Sequence, residues 1–221
     1  MNELRDNPDG DPAVLDIVKI EVGLLMTNAY LLSREDADAL LLIDPGGSSD
    51  KLISRINETG KPLGAMICTH GHADHIAATT ALRNEYPDAE ILIHPADRDM
   101  LTDPKLNLSE FMGMATTCPP TDRVLEDGQA DVHGFRFTVL HTPGHTPGGI
   151  SLYFPDDKTV FCGDTLFEMS IGRTDLPGGD SGVFQKSITE TLFHLPDDTV
   201  VCPGHGQDTS IGREKNHNPF V

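Results

Sequence analysis

The segment Thr69-His70-Gly71-His72-Ala73-Asp74-His75 holds three imidazoles and one carboxylate within six residues. Both are ligand types for divalent metals, and such density is costly to bury without a cation. The segment therefore reads as a metal site rather than a solvated histidine cluster. His70 and His72 can face one ion from an extended turn, and Asp74 with His75 can reach a second. Three further candidates lie downstream. His145 sits in Thr142-Pro143-Gly144-His145-Thr146-Pro147-Gly148, Asp164 in Cys162-Gly163-Asp164-Thr165, and His205 in Pro203-Gly204-His205-Gly206. Each follows an apolar run and is flanked by glycine, which lets backbone pass close to an ion and adopt positive φ.

The elements that must position these residues follow from the apolar pattern. Residues 65–68 read as a short strand leading into the motif, and 76–86 as the helix after it. The motif thus occupies a strand-to-helix turn, where catalytic loops collect. Further strands are predicted at 13–21, 30–32, 40–43, 91–93, 135–140, 150–154, 160–162 and 200–202. Ser49 or Asp50 can cap a helix running to about residue 58, and 179–195 reads as another helix. Residues 96–120, rich in Met, Asp and Pro, read as a lid or loop region. Periodicity alone gives a mixed α and β domain, and the four ligand-bearing strand ends suggest one shared edge of a sheet sandwich.

The 221 residues, 38% hydrophobic, suit one domain, placed at 13–221 after a flexible segment at 1–12. The net charge of −19 comes from 35 acidic and 16 basic residues, and it opposes nucleic-acid binding, which rests on neutralising phosphates. No apolar run approaches the roughly 20 residues of a membrane span. Residues 1–11 are polar and acidic, without the basic and apolar regions of a secretory signal. Cys68, Cys118, Cys162 and Cys202 show no CxxC spacing and read as small buried hydrophobes. Together these features predict a cytoplasmic protein whose partner is a small molecule, with no nucleic acid and no membrane.

The HxHxDH segment, the TPGHT histidine, the GDT aspartate and the PGHG histidine together resemble the metallo-β-lactamase-fold hydrolases, from about Ile17 to the C-terminus. Within them the chain is similar to the glyoxalase II-like (hydroxyacylglutathione hydrolase-like) group. The stretches that carry this are Thr27-Asn28-Ala29-Tyr30-Leu31-Leu32, Ile43-Asp44-Pro45-Gly46-Gly47, Gly172-Arg173-Thr174-Asp175 and His217-Asn218-Pro219. The resemblance implies an α/β, four-layer αββα sandwich. It implies a first metal held by His70, His72 and His145, a second held by Asp74, His75 and His205, and Asp164 bridging the two. The ions are two divalent metals, zinc in the first place, with iron or manganese admitted by the ligand types.

Two cations about 3.5–4 Å apart can share a water and supply hydroxide at neutral pH. Asp74 is the expected catalytic residue, orienting that water as well as ligating. A thioester such as S-lactoylglutathione fits, because a thiolate with a pKa of about 8.5 leaves without obligatory protonation. The alternative is an iron-dependent persulfide dioxygenase, which shares the Gly-Arg-Thr-Asp stretch and holds one iron by two His and one Asp. Longer glyoxalase II enzymes grip glutathione with a C-terminal helical domain. This chain stops soon after His205, which leaves a smaller or different thioester open.

Arg173 stands where the resemblance places a substrate contact, and its guanidinium fork suits a carboxylate. The competing reading is a surface salt bridge with Asp175 or Asp180. His141 is expected to brace the loop that carries His145. His94 and His217 read as structural, with His217 packing near the site, and His133 and His194 as surface or core-edge residues.

Overall fold

The computed structural model describes residues 14–221. The segment expected at 1–12, and residue 13 at the head of the first expected strand, lie outside the described residues. The first sheet contains β1 (Asp16–Val22), β2 (Thr27–Ser33), β3 (Leu40–Ile43), β4 (Leu63–Ile67), β5 (Glu90–Ile93) and β6 (Arg123–Val124), side by side in sequence order. The β1–β2 and β2–β3 pairs are antiparallel, and β3 to β6 run parallel. The second sheet begins with β7 (Gly128–Val132), β8 (Phe135–His141), β9 (Ile150–Phe154) and β10 (Thr159–Gly163), an antiparallel meander. A small ribbon, β11 (Leu166–Phe167) with β12 (Ser170–Ile171), follows. The sheet then closes with β13 (Val200–Pro203), parallel to β10, and β14 (Thr209–Ser210).

Alternation along the strands explains the layering. In β3, Leu41 and Ile43 join Phe137, Leu152 and Phe161 of the second sheet in the central core, while Leu40 and Leu42 pack outward with Leu52, Ile56 and Leu82. A strand covered on both faces reads as a continuous apolar run, as Leu40 to Ile43 does. Leu52 and Ile56 sit four residues apart on α1 (Ser49–Thr59), the spacing of one helix face. The second sheet is covered in turn by Phe184, Ile188, Leu192 and Ile211, which pack on Val160, Cys162 and Val201. Helices, sheet, sheet and helices form the expected four layers. Fully burying each such aliphatic or aromatic side chain contributes about 1.5–3 kcal/mol.

Strand direction delivers the site. Because β8 and β10 run the same way and β13 is parallel to β10, their C-terminal ends lie on one edge. The ends of β3 and β4 also share an edge, since those strands are parallel.

Several expected elements differ in detail. The helix expected over 76–86 is two pieces, α2 (Ala73–Ile76) and α3 (Thr79–Glu85). The break falls where the Ala78 amide donates to Pro45 O at 2.8 Å instead of continuing the helix ladder. The helix expected over 179–195 is α4 (Ser181–Lys186), capped by Asp180, then a π turn at Ser187–Thr191 and a 3₁₀ turn at Leu192–His194. The wide turn begins where Ser187 Oγ donates to Pro143 O at 2.7 Å, so tertiary contact overrides the regular helix. Residues 96–120 do not form an open lid throughout. Asp97, Asn107 and Ser109 are fully buried, and Asn107 Nδ2 ties Met100 O to Thr116 O at 2.9 Å each.

Candidate metal centre

The chain leaves β4 through Cys68 and Thr69 and turns at His70. His72 is the residue preceding α2, and Asp74 and His75 lie on its single turn. Three contacts hold this turn in shape. Asp44, just past β3, accepts from Thr69 N at 2.7 Å and from Thr69 Oγ1 at 2.8 Å. Asp97 accepts from Gly71 N at 3.0 Å. Ala73 N donates to Asn107 O at 3.0 Å.

The His145 loop is held by the same Asp97, which also accepts from Thr146 Oγ1 at 2.7 Å and Gly148 N at 2.6 Å. One carboxylate thus ties together the two loops that carry His70, His72 and His145. Gly144 adopts φ 122°, and a Cβ there would run into Phe184 backbone, so the turn before His145 needs glycine. His145 Nδ1 lies 2.7 Å from Arg173 O, which turns Nε2 inward to 2.9 Å from His72 Nδ1.

Asp164 follows Gly163 at the end of β10. Its Oδ1 lies 3.3 Å from His75 Nε2, and its Oδ2 lies 3.7 Å from His145 Nε2 and 3.6 Å from His205 Nε2. The carboxylate therefore stands between the two halves of the cluster. The loop bearing His205 is clamped by β2. Asn28 N donates to Gly204 O at 2.7 Å, Asn28 Nδ2 to Pro203 O at 2.9 Å, and Tyr30 Oη to Pro203 O at 2.8 Å. His205 Nδ1 faces Leu25 O at 3.1 Å, leaving Nε2 3.2 Å from Asp74 Oδ2.

All seven residues expected from sequence converge. Ligand-type atoms group as His70, His72 and His145, as His70, His75 and Asp164, and as Asp74, His75 and His205, each set within 4.8 Å. Nε2 of His70 and Nε2 of His72 are buried without a hydrogen-bond partner. Orphaned buried lone pairs are rare unless something binds them. The donor set fits two borderline divalent cations, and these seven side chains are the ones that would hold them.

Electrostatics in the metal-free chain agree. Burial, reinforced by neighbouring histidines, drives the His70 pKa well below the ordinary imidazole range and His72 down to about 3. Both imidazoles are neutral, the form that ligates. Burial opposes charge on His75, yet Asp74, Asp164 and Asp44 outweigh it and raise His75 well above its usual value. Burial likewise opposes ionisation of Asp74 and Asp164, and His75 and its neighbours hold both carboxyls below the ordinary range. A proton on His75 thus offsets part of the carboxylate charge that a cation would otherwise neutralise.

The structure also places the remaining candidates. Arg173 is exposed and forms a bidentate pair with Asp175, at 2.7 and 2.8 Å, rather than with Asp180. Its backbone carbonyl, not its side chain, touches the cluster through His145. His141 Nε2 lies 3.0 Å from Pro147 O and its ring stacks on His94 at 4.2 Å, so His141 braces the loop as expected. Burial and His141 lower the His94 pKa to about 4. His217 is exposed, while its neighbour Asn218 is buried and donates to Ser170 O at 2.9 Å. His133 and His194 are exposed. All four cysteines are unpaired and buried.

The sequence marks neither Asp44 nor Asp97 as functional. Asp44 lay inside a recognised stretch, but a carboxylate that holds a ligand from behind has no spacing signal of its own. Asp97, in the irregular stretch after β5, had none either.

The sequence profile of the metallo-beta-lactamase superfamily matches residues 22–205. The probable metallo-hydrolase YqgX of Bacillus subtilis (strain 168) is 38% identical over 205 residues, covering 92% of this chain and 96% of its own. The hydroxyacylglutathione hydrolase GloC of Haemophilus influenzae is 36% identical over 214 residues, covering 94% and 98%. Among solved structures, the BLEG-1 B3 metallo-beta-lactamase superposes with a TM-score of 0.89 at 39% identity, covering 93% of this chain and 99% of that one. TTHA1623 in a di-iron-bound form superposes with a TM-score of 0.82 at 37% identity, covering 92% and 100%.

Proposed function

The chain belongs to the metallo-β-lactamase superfamily of metal-dependent hydrolases, and on that premise we propose that it cleaves an acyl thioester, with S-lactoylglutathione or a related compound as substrate. The observation that carries this reading is the convergence of seven ligand-type side chains with orphaned lone pairs at their centre. The near full-length similarity to GloC supports a thioester over other hydrolysable bonds.

In this reading His70, His72 and His145 would hold one divalent cation, and Asp74, His75 and His205 another, with Asp164 placed between the two sets. Cations held there would supply Lewis acidity and hydroxide at neutral pH. The chain's own residues do the positioning. Thr27 Oγ1 donates to Asp74 Oδ2 at 3.1 Å and fixes the carboxylate where it would orient a water. Arg173 O and Leu25 O fix the ring orientation of His145 and His205. The leaving thiolate needs no acid, which suits a centre whose titratable groups are ligands. Arg173, released from Asp175, is the proposed contact for a substrate carboxylate. Zinc is the proposed metal, and iron is the competitor, since TTHA1623 is a di-iron form. No helix among the described residues is long and apolar enough to cross a membrane. Four unpaired cysteines suit a reducing compartment such as the cytoplasm.

The second reading is a single-iron persulfide dioxygenase, and the Gly172-Arg173-Thr174-Asp175 stretch favours it. The placement of His205 beside Asp74, at 3.2 Å, weighs toward two ions. Elemental analysis and turnover separate the two. Near two metals per chain with hydrolysis of S-lactoylglutathione supports the hydrolase. Near one iron per chain, with oxygen uptake on glutathione persulfide and no hydrolysis, overturns it.

A further inference from the structure

Beside the metal centre an apolar cleft of about 450 Å³ lies between the β1–β2 turn and the exposed tip of the 96–120 segment. Leu24 and Leu25 line it from the turn, Met112 and Met114 from the segment tip, Ala77 lines it beside them, and Asp74 is its charged member. The apolar walls are left open to solvent: Leu24 is 95% exposed and Leu25 52%. Exposed leucines grouped with methionines around a concavity mark a binding surface. Among the described residues no Lys, Arg or His lines the cleft, so its described lining offers nothing to the carboxylates of a peptide-like thiol. It complements an uncharged aliphatic group, and the flexible methionine side chains can adapt to several lengths. Because Asp74 belongs both to the cleft and to the metal cluster, a chain lying in the cleft has its end at the hydrolytic centre.

We propose that this cleft takes the aliphatic acyl chain of the substrate and makes the enzyme select for acyl length. The proposal rests on the thioester-hydrolase reading and names the acyl half of the substrate for it. Gly46 packs so tightly on the backbone of Asp74 that a Cβ there would collide with Asp74 O.

The test uses the metal-loaded full chain and a series of N-acetylcysteamine thioesters, from acetyl through butyryl and hexanoyl to octanoyl. The thiol is neutral and constant, so only the acyl chain varies. Each methylene buried in the cleft raises kcat/KM about fourfold, corresponding to about 0.8 kcal/mol, mainly through KM. Leu24→Ser combined with Met114→Gln reduces the slope to less than twofold per methylene. A flat or falling series with hydrolysis intact overturns the cleft proposal and leaves the hydrolase reading standing. If no thioester is cleaved, the hydrolase reading fails, and calorimetric binding of the thioethers S-butyl- and S-octyl-N-acetylcysteamine judges the cleft by itself. Tighter octyl binding that the double variant abolishes supports it, and equal binding overturns it. A dimer in sedimentation that the double variant dissociates, with no chain-length preference, would mean that the apolar face pairs two copies of this chain instead.

Discussion

The carboxylate of Asp44 lies 3.0 Å from His75 Nδ1, in a pocket where both side chains are essentially fully buried. That contact fixes the ring so that Nε2 faces Asp74 at 3.5 Å and Asp164 at 3.3 Å. The same carboxylate holds Thr69, so the residue before His70 and the ligand five positions after His70 share one anchor. A carboxylate behind a ligating imidazole orients the ring and raises its basicity.

Replacing Asp44 with Asn keeps the size and removes the charge. We expect Asp44→Asn to weaken metal binding by about 10- to 100-fold, the usual cost of losing such a partner. The loss should fall on the cation held by His75, leaving one metal more tightly bound than the other. Chelator competition with metal analysis reads this directly. Two equal, unweakened sites would show that Asp44 is a scaffold residue only.

Asp97 joins two metal loops by accepting three hydrogen bonds while itself fully buried. Asn offers one acceptor oxygen and adds two donors, so at least one buried donor goes unpaired. Asp97→Asn should therefore lower unfolding free energy by about 2 kcal/mol, within the 1–3 kcal/mol range for such a group. Urea denaturation of the metal-free variant measures it. An unchanged midpoint would mean that the loops are held elsewhere.

The seven convergent residues were legible because histidine, aspartate and glycine at fixed spacing are uncommon without a cation to explain them. The αββα layering followed from the family resemblance, while alternation in strands such as β3 supplied only a mixed α and β content. What stayed hidden depends on contacts distant in sequence. The break at Ala77 and Ala78 comes from Pro45, more than thirty residues earlier. The π turn after α4 comes with a contact from Ser187 to Pro143. The burial of Asn107 and Ser109 turns an apparent lid into a pinned segment with only its tip free. No local propensity encodes such choices.

Among the described residues, Asp164 is the carboxylate whose two oxygens reach toward both halves of the cluster. Asp164→Asn preserves its shape but removes the charge that two cations would share. Metal content and turnover are expected to fall together, with less than one full pair of metals retained per chain. Retention of two metals at normal turnover would remove Asp164 from the bridging position.

Arg173 separates two functions in one residue. Its carbonyl holds His145, and its exposed guanidinium pairs with Asp175. Arg173→Ala keeps the first and deletes the second. A remote substrate anchor contributes to ground state and transition state alike, so its loss appears in KM. We expect KM for S-lactoylglutathione to rise about three- to tenfold with kcat nearly unchanged. An unchanged KM for every anionic thioester would leave the guanidinium as a surface partner of Asp175.

The net charge of −19 sets a long-range field that any anionic substrate must cross. Raising ionic strength from 0.01 to 0.1 M shortens the Debye length from about 30 to about 10 Å and screens that repulsion. For S-lactoylglutathione, kcat/KM should then rise by about twofold or more, through the encounter step. A neutral N-acetylcysteamine thioester should show no such dependence, which separates repulsion from a general salt effect on the enzyme. The opposite sign is informative too. A fall in kcat/KM with salt for the anionic substrate alone would mean that a local cation, with Arg173 the first candidate, outweighs the field of the whole chain. Repeating the salt series with Arg173→Ala would then identify it, because the fall should disappear in that variant.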